Sequence, residues 1–142
     1  MTAHDLLATA TAFKALSPQE LEELATHVTA RHFERGDAVV RQDEPAAECF
    51  VITSGSVAVT RRSQAEPPAG PLATLKAGDL FGEIAIIDGS TRSATVIALE
   101  PTECLVLPAG PLRDLLGRNR AFSMGLLQLS VIRLAEMERL AQ

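Results

Sequence analysis

The sequence predicts an α+β fold that is mainly β: an antiparallel β-roll or jelly-roll barrel flanked by N-terminal helices and by two C-terminal helices. Between residues 30 and 107 apolar residues recur with a period of two, and turn residues interrupt them at short intervals. Before and after that region the apolar spacing is helical. Many short strands joined by frequent turns favour a small barrel or sandwich.

The composition is that of an acidic globular protein. The chain has 142 residues, of which 46% are hydrophobic and 22% charged, and its formal net charge is −5. We interpret residues 1–142 as one domain, with N-terminal helices over 1–29, a β-roll over 30–107 and C-terminal helices over 109–141, because this length suffices to bury a core. The acidic balance argues against a nucleic-acid-binding surface.

We expect a cytoplasmic protein without a membrane partner. No apolar run approaches the roughly 20 residues of a membrane span, and residues 1–10 lack a basic stretch followed by a long apolar core. Cys49 and Cys104 both lie in apolar runs. We interpret each as a small buried hydrophobe rather than as part of a disulfide or a metal site.

Two helices are expected before the barrel. The first covers residues 5–13, where apolar residues follow a helical spacing. The second starts with Ser17 as N-cap, has Pro18 at the first helical position, and carries Glu20 where a capping box needs it. We expect this second helix to reach about Thr29.

The barrel region contains a series of candidate strands separated by Gly, Asp and Pro turns. The segment Ser63–Pro71 has three prolines and is predicted to be a flexible hairpin tip. The predicted strands are Ala30–Glu34, Ala38–Arg41, Glu48–Thr53, Ser56–Arg61, Leu72–Lys76, Thr95–Leu99 and Thr102–Leu107.

The chain returns to helix after the last strand. A short helix is expected over Leu112–Leu116, ended by Gly117, and a longer one from about Arg120 to Leu140. The longer helix has too many apolar residues for a single stripe. One face can therefore pack on the barrel, while another meets a ligand, a second copy of the chain or a further domain.

Residues 81–96, FGEIAIIDGSTRSATV, have the chemistry of an anion site. Gly82 lets backbone approach a ligand, and the turn of helix from Glu83 would present free N–H groups beside it. Arg92 can bind two phosphate oxygens at once, and the small Ser93 and Ala94 leave their own N–H groups reachable.

Glu83 adds a hydrogen-bond acceptor to a stretch whose other groups are donors. Its carboxylate only accepts hydrogen bonds, so beside a phosphate-binding arginine its natural partners are hydroxyl groups such as those of a ribose. A donor set for phosphate together with an acceptor for sugar describes a nucleotide site.

This stretch resembles the phosphate-binding cassette of cyclic nucleotide-binding domains, from Phe81-Gly82-Glu83 and Ala85 through Arg92-Ser93-Ala94. The resemblance implies that Glu83 holds the ribose 2′-hydroxyl, that Arg92 holds the cyclic phosphate, and that Ser93 assists at phosphate or purine. It also places Ile84 at the site. The implied ligand is a cyclic purine nucleotide, cAMP before cGMP, with no metal.

The same resemblance implies further contacts to the base. Val57 would line the purine pocket, although it fits a plain barrel-core valine equally well. The last helix would form a lid, with Leu134 and Met137 against the purine. Some family members place adjacent hydroxyl residues on this helix, whereas this chain has Met137 and Glu138 there. Base recognition would then rest on apolar packing, backbone groups or Arg133.

Several alternatives stay open. The chain could be a stand-alone sensor that acts through a homodimer or an effector protein bound at its last helix. It could be a regulatory fragment of a transcription factor, channel or enzyme, or an interaction domain that binds no nucleotide. An enzyme is disfavoured because no nucleophile lies beside a base and no His-x-His metal pair occurs.

Overall fold

A computed structural model describes residues 2–61 and 71–141, with side chains to residue 139. Apart from Pro71, the predicted hairpin tip Ser63–Pro71 lies outside the described residues. The helices are α1 (Ala3–Ala8), α2 (Pro18–Ala25), α3 (Glu83–Asp88), α4 (Ala109–Arg118) and α5 (Arg120–Ala141), with a 3₁₀ turn at Thr11–Phe13.

The strands form two four-stranded sheets in which every pair is antiparallel. One sheet has the order β1-β8-β3-β6 and the other β2-β7-β4-β5. The predicted α+β roll, mainly β and flanked by helices, is confirmed. The strands are β1 (Thr29–Phe33), β2 (Ala38–Val40), β3 (Glu48–Ser54), β4 (Ser56–Thr60), β5 (Ala73–Lys76), β6 (Leu80–Phe81), β7 (Thr95–Ala98) and β8 (Thr102–Pro108).

The central strands of the first sheet, β8 and β3, are largely buried on both faces, whereas the edge strand β1 is mostly exposed. Along β3, Cys49 and Val51 pack with the helices, whereas Phe50 and Ile52 point into the interior between the sheets. Alternate residues thus join two separate cores, because successive side chains of a strand point to opposite faces. A strand buried on both faces reads as a continuous apolar run.

The N-terminal helices are shorter than predicted. The helix expected over residues 5–13 ends at Ala8, and a 3₁₀ turn follows it, which brings Phe13 against Phe122 of α5 with ring centroids 5.8 Å apart. The capping box of Ser17 and Glu20 is confirmed, but α2 ends at Ala25 rather than near Thr29. Thr29 pairs with Val106 in the first sheet, so the chain must leave helical geometry before it.

Gly117 does not end the fourth helix as predicted. Helix α4 begins at Ala109 and runs through Gly117 to Arg118. A glycine inside a helix costs only about 1 kcal/mol, which the surrounding packing can offset. Asn119 is the real boundary, since it leaves helical geometry before α5 begins at Arg120. Strand β6 is an addition to the predicted set, because two residues are too few to show a period.

Both cysteines are free and buried, as predicted. Burial raises the pKa of the Cys49 thiol far above its ordinary value and that of Cys104 to about 12, so both stay protonated as packing groups. Within residues 2–61 and 71–141, no helix has the length and apolarity needed to cross a membrane.

Candidate functional site

The candidate site is a cavity of about 60 Å³ bounded by the second sheet, α3 and α5. It includes nine of the ten residues named from the sequence, and α5 closes one side of it. The lining residues are Val40, Val59, Leu75, Phe81, Gly82, Glu83, Ile84, Ala85, Arg92, Ser93, Ala94, Val96, Arg133, Leu134 and Met137.

Arg92 is held against the backbone that precedes α3. Its Nη1 donates to the carbonyl oxygen of Gly82 at 2.9 Å, and its Nη2 donates to that of Glu48 at 2.6 Å. The guanidinium carbon lies 5.9 Å from the centroid of the Phe50 ring. Burial lowers the pKa of Arg92 from its ordinary value, but an arginine remains charged at neutral pH.

Gly82 permits this close approach of Arg92. Its φ of +85° lies in the left-handed region, which glycine adopts without steric cost. A Cβ at this position would come within 2.7 Å of Nη1 of Arg92. The glycine therefore serves both the turn into α3 and the room for the guanidinium.

Glu83 is only 3% exposed, and its carboxylate is bound by α5. Oε1 accepts a hydrogen bond from the Ser130 hydroxyl at 3.1 Å and lies 3.5 Å from Nη1 of Arg133. The same Nη1 donates to the Leu80 carbonyl oxygen at 2.6 Å. A buried carboxylate requires such partners, and both of these come from the last helix.

Ser93 and Ala94, which follow Arg92, also line the cavity. Ala94 is buried, whereas Ser93 is exposed and its carbonyl oxygen accepts from Nε of Arg61 at 3.2 Å. Ile84 and Ala85 contribute the first turn of α3 to the cavity. Both flanks of the predicted cassette therefore meet at one cavity.

Helix α5 supplies the apolar closure. Met137 is 7% exposed and packs in the interior core between the sheets, and Leu134 also lines the cavity. Val57 belongs to the same core but does not line the cavity, while Val59, two residues further along β4, does.

Some site residues were not identified from the sequence. The sequence identified Val40, Leu75 and Val96 only as residues of predicted strands. No local pattern indicates which strand positions face a cavity. Ser130 carried no signal at all, since a single serine in an apolar helix is unremarkable. Among the described residues no cluster of His, Cys, Asp and Glu could hold a metal ion.

The sequence of the chain is similar to a known domain family and to a known protein kinase. The family model of the cyclic nucleotide-binding domain matches residues 30–119. The chain is 35% identical over 104 residues to a cGMP-dependent protein kinase, isozyme 1, of Drosophila melanogaster, a match that covers 72% of this chain and 14% of the kinase. The chain thus spans a small part of that relative's length.

Two solved structures resemble the whole fold. The sensor domain of the transcriptional regulator DNR from Pseudomonas aeruginosa is 26% identical with a TM-score of 0.79, covering 92% of this chain and 87% of that one. The catabolite activator protein of Thermus thermophilus is 28% identical with a TM-score of 0.76, covering 89% of this chain and 59% of that one.

Proposed function

The chain belongs to the cyclic nucleotide-binding domain family, and on that basis we propose that it is a sensor domain which binds a cyclic purine nucleotide, cAMP or cGMP. Occupancy would be reported by movement of α5. In this proposal residues 1–142 form one such domain, which binds and regulates but carries out no catalysis itself.

One observation carries the proposal: a buried carboxylate and a buried arginine face the same largely apolar cavity. Glu83 is a hydrogen-bond acceptor suited to a sugar hydroxyl, and Arg92 is a donor suited to phosphate. A guanidinium has more N–H groups than its two bonds to Gly82 and Glu48 use, so a phosphate can be added. The donor set thus fits a nucleotide.

We assign the apolar part of the cavity to the base. Leu134 and Met137 of α5 and Val59 of β4 contribute apolar side chains to the lining, and Val57 packs in the same core as Val59 and Met137. A purine ring gains most from such apolar contact. The Drosophila relative is described as cGMP-dependent, and the hydroxyl of Ser93 is compatible with cGMP as well as with cAMP.

The test is titration calorimetry with cAMP and with cGMP, on protein first freed of any nucleotide carried from expression. Arg92→Ala should weaken binding by about 2–5 kcal/mol, roughly tens to thousands of fold, because a phosphate loses its desolvated partner. Arg92→Lys keeps the charge but not the paired geometry, so its loss should be smaller.

Arg41→Ala serves as the control, since it removes the same charge from a largely exposed arginine that lies just after β2. Unchanged affinity in a folded Arg92→Ala variant would contradict the site assignment. If the wild-type protein binds neither cAMP nor cGMP, the proposal is wrong, and the alternative of an interaction module with the same fold and no nucleotide site is favoured.

We propose that a protein partner of the sensor binds at α5. This helix carries several large exposed apolar side chains, which an isolated soluble helix face seldom shows together. A second copy of the chain, an effector protein or further domains of a longer protein could cover them. Sedimentation of the wild-type protein and of Val131→Lys would show whether copies associate through this face. The exposed residues are Met124, Leu127, Leu129, Val131 and Ile132.

A further inference from the structure

Arg61 connects the end of β4 to the segment that follows Arg92. Its Nε donates to the Ser93 carbonyl oxygen at 3.2 Å, and its Nη1 lies 3.7 Å from Oε1 of Glu138. The Arg61 side chain is 30% exposed and does not line the cavity, whereas Ser93 does. Arg61 therefore contacts a lining residue without itself forming part of the lining.

The hydrogen bond of Arg61 falls on a single peptide unit. Before this unit, the N–H and C=O of Arg92 bond to the loop that follows β2, at 2.9 and 2.8 Å. After it, β7 begins at Thr95 and is paired in the second sheet. Backbone partners thus hold the chain on both sides, whereas a side chain holds the carbonyl of the peptide between Ser93 and Ala94.

The orientation of this peptide decides whether it attracts or repels an anion. In a trans peptide the carbonyl oxygen of Ser93 and the N–H of Ala94 point in opposite directions. Because Arg61 holds the oxygen outside the cavity, the N–H is left for the cavity side, where a backbone N–H can donate to a phosphate oxygen. A reversed peptide would turn a carbonyl oxygen toward the phosphate, and two acceptors repel each other.

We propose that Arg61 is a positioning residue for the nucleotide phosphate, because it fixes the peptide between Ser93 and Ala94 with its N–H toward the ligand. This inference rests on the proposed function and deepens it, since it names a residue outside the cavity on which phosphate binding depends. The ion pair with Glu138 contributes little by itself, because the Glu138 side chain is 66% exposed.

The test compares Arg61→Ala and Arg61→Lys with the wild type by calorimetric titration of cAMP and cGMP. Lysine keeps the positive charge but has a methylene group in place of Nε, so it lacks the donor that binds Ser93. Both variants should bind roughly three- to tenfold more weakly, because the peptide loses the hydrogen bond that orients it. Arg41→Ala removes an arginine charge elsewhere and should leave the affinity unchanged.

A second readout distinguishes positioning from a general loss of structure. The two phosphorothioate diastereomers of cAMP, or of cGMP if that binds more tightly, carry sulfur in place of one or the other exocyclic phosphate oxygen, and sulfur is a weak acceptor. One diastereomer should bind the wild type more weakly than the parent nucleotide does. This penalty should shrink in Arg61→Lys, because the N–H of Ala94 no longer meets that oxygen.

Two results in a folded Arg61→Lys variant would overturn the positioning role. One is the affinity of the wild type, which would mean that only the charge of Arg61 matters. The other is an equal loss of affinity for the parent nucleotide and both phosphorothioates, which would mean a structural role alone. Either result, with a wild type that binds, contradicts this inference only, whereas a wild type that binds neither cAMP nor cGMP contradicts the proposed function.

Discussion

Gly82 shows how a single residue connects backbone geometry to the site. It has a φ of +85° at the junction of β6 and α3, and a Cβ there would lie 2.7 Å from Nη1 of Arg92. The turn between the two elements and the position of the guanidinium therefore both require the absence of a side chain. Gly36 has a similar φ of +91°, yet a Cβ there would meet nothing within 4 Å. Comparing the two glycines therefore distinguishes the cost of backbone strain, which both share, from an effect on Arg92, which only Gly82 has.

Gly82→Ala and Gly36→Ala should therefore differ in binding although both lower stability. Each places a Cβ in the left-handed region, which costs about 1–2 kcal/mol of unfolding free energy. Only Gly82→Ala displaces Arg92, so only it should weaken nucleotide binding, by roughly tenfold or more. Chemical denaturation and calorimetry measure the two effects, and equal affinities in both variants would contradict the role of the glycine.

His32 gives the molecule a pH dependence away from the site. Its Nδ1 lies 2.5 Å from Glu103 and its Nε2 lies 2.8 Å from Glu34. These hydrogen bonds raise the pKa of His32 above 6.5. Its contribution to stability is full below the unfolded value of about 6.5 and is lost as pH rises through the raised folded value.

Thermal melts at pH values from about 6 to 9 should show this loss in the wild type and less of it in His32→Gln. The effect should be small because the side chain is 45% exposed and solvent screens it. Parallel pH profiles of the two proteins would contradict the assignment. An NMR titration of the His32 ring provides an independent measure of its pKa.

At the scale of the elements, Asn119 joins three helices. Its Oδ1 accepts from the amide of Phe122 at 2.9 Å, which caps the start of α5. Its Nδ2 donates to the Ala15 carbonyl oxygen at 3.2 Å and to the Glu20 carboxylate at 2.9 Å. The capping box of α2 and the cap of α5 thus share one side chain.

Asn119→Ala should lower the free energy of unfolding by about 1–2 kcal/mol, because it removes the cap and leaves the Nδ2 partners unsatisfied. Asn119→Ser is the matched variant, since serine is an equally good N-cap but is too short to keep the bonds to Ala15 and Glu20. Its loss should be about half as large. Equal losses would indicate that the cap contributes nothing.

At the scale of the whole molecule, α5 belongs to both cores. Its first half packs Phe122 and Leu126 with the N-terminal helices, and its second half places Met137 in the interior core beside the cavity. In the proposed function, a change at the cavity would therefore be felt in both cores, because one helix contributes side chains to each. This arrangement connects ligand binding with overall stability.

Saturating nucleotide should accordingly raise the stability of the whole domain. Ligand at a hundred times its Kd adds about 2.7 kcal/mol to the free energy of unfolding. Thermal melts with and without cAMP or cGMP would show a higher Tm in the wild type and in Arg41→Ala. A similar shift in Arg92→Ala would mean that the nucleotide binds elsewhere.

Features that depend on neighbours in sequence could be predicted from the sequence. The fold class followed from the change in apolar period, and the capping box of α2 from Ser17 and Glu20. The residues from Gly82 to Ala94 that meet at the cavity lie within one short segment, so their chemistry is readable before folding. The ends of α1, α2 and α4 could not be predicted from the sequence, because each depends on a distant part of the fold. After α1 the chain packs Phe13 against Phe122, after α2 it pairs Thr29 with β8, and after α4 it starts α5.

Only the tertiary structure decided what surrounds Glu83. Ser130 and Glu83 are separated by 47 positions, and no local pattern indicates that one meets the other. The same holds for the strand residues Val40, Val59 and Leu75. Whether their side chains point into the cavity depends on how the two sheets pack against each other. Local sequence thus determined the acceptor Glu83 and the donor Arg92 of the proposed nucleotide site. Long-range packing determined that side chains of α5 contact the Glu83 carboxylate, because those contacts join residues far apart in the chain.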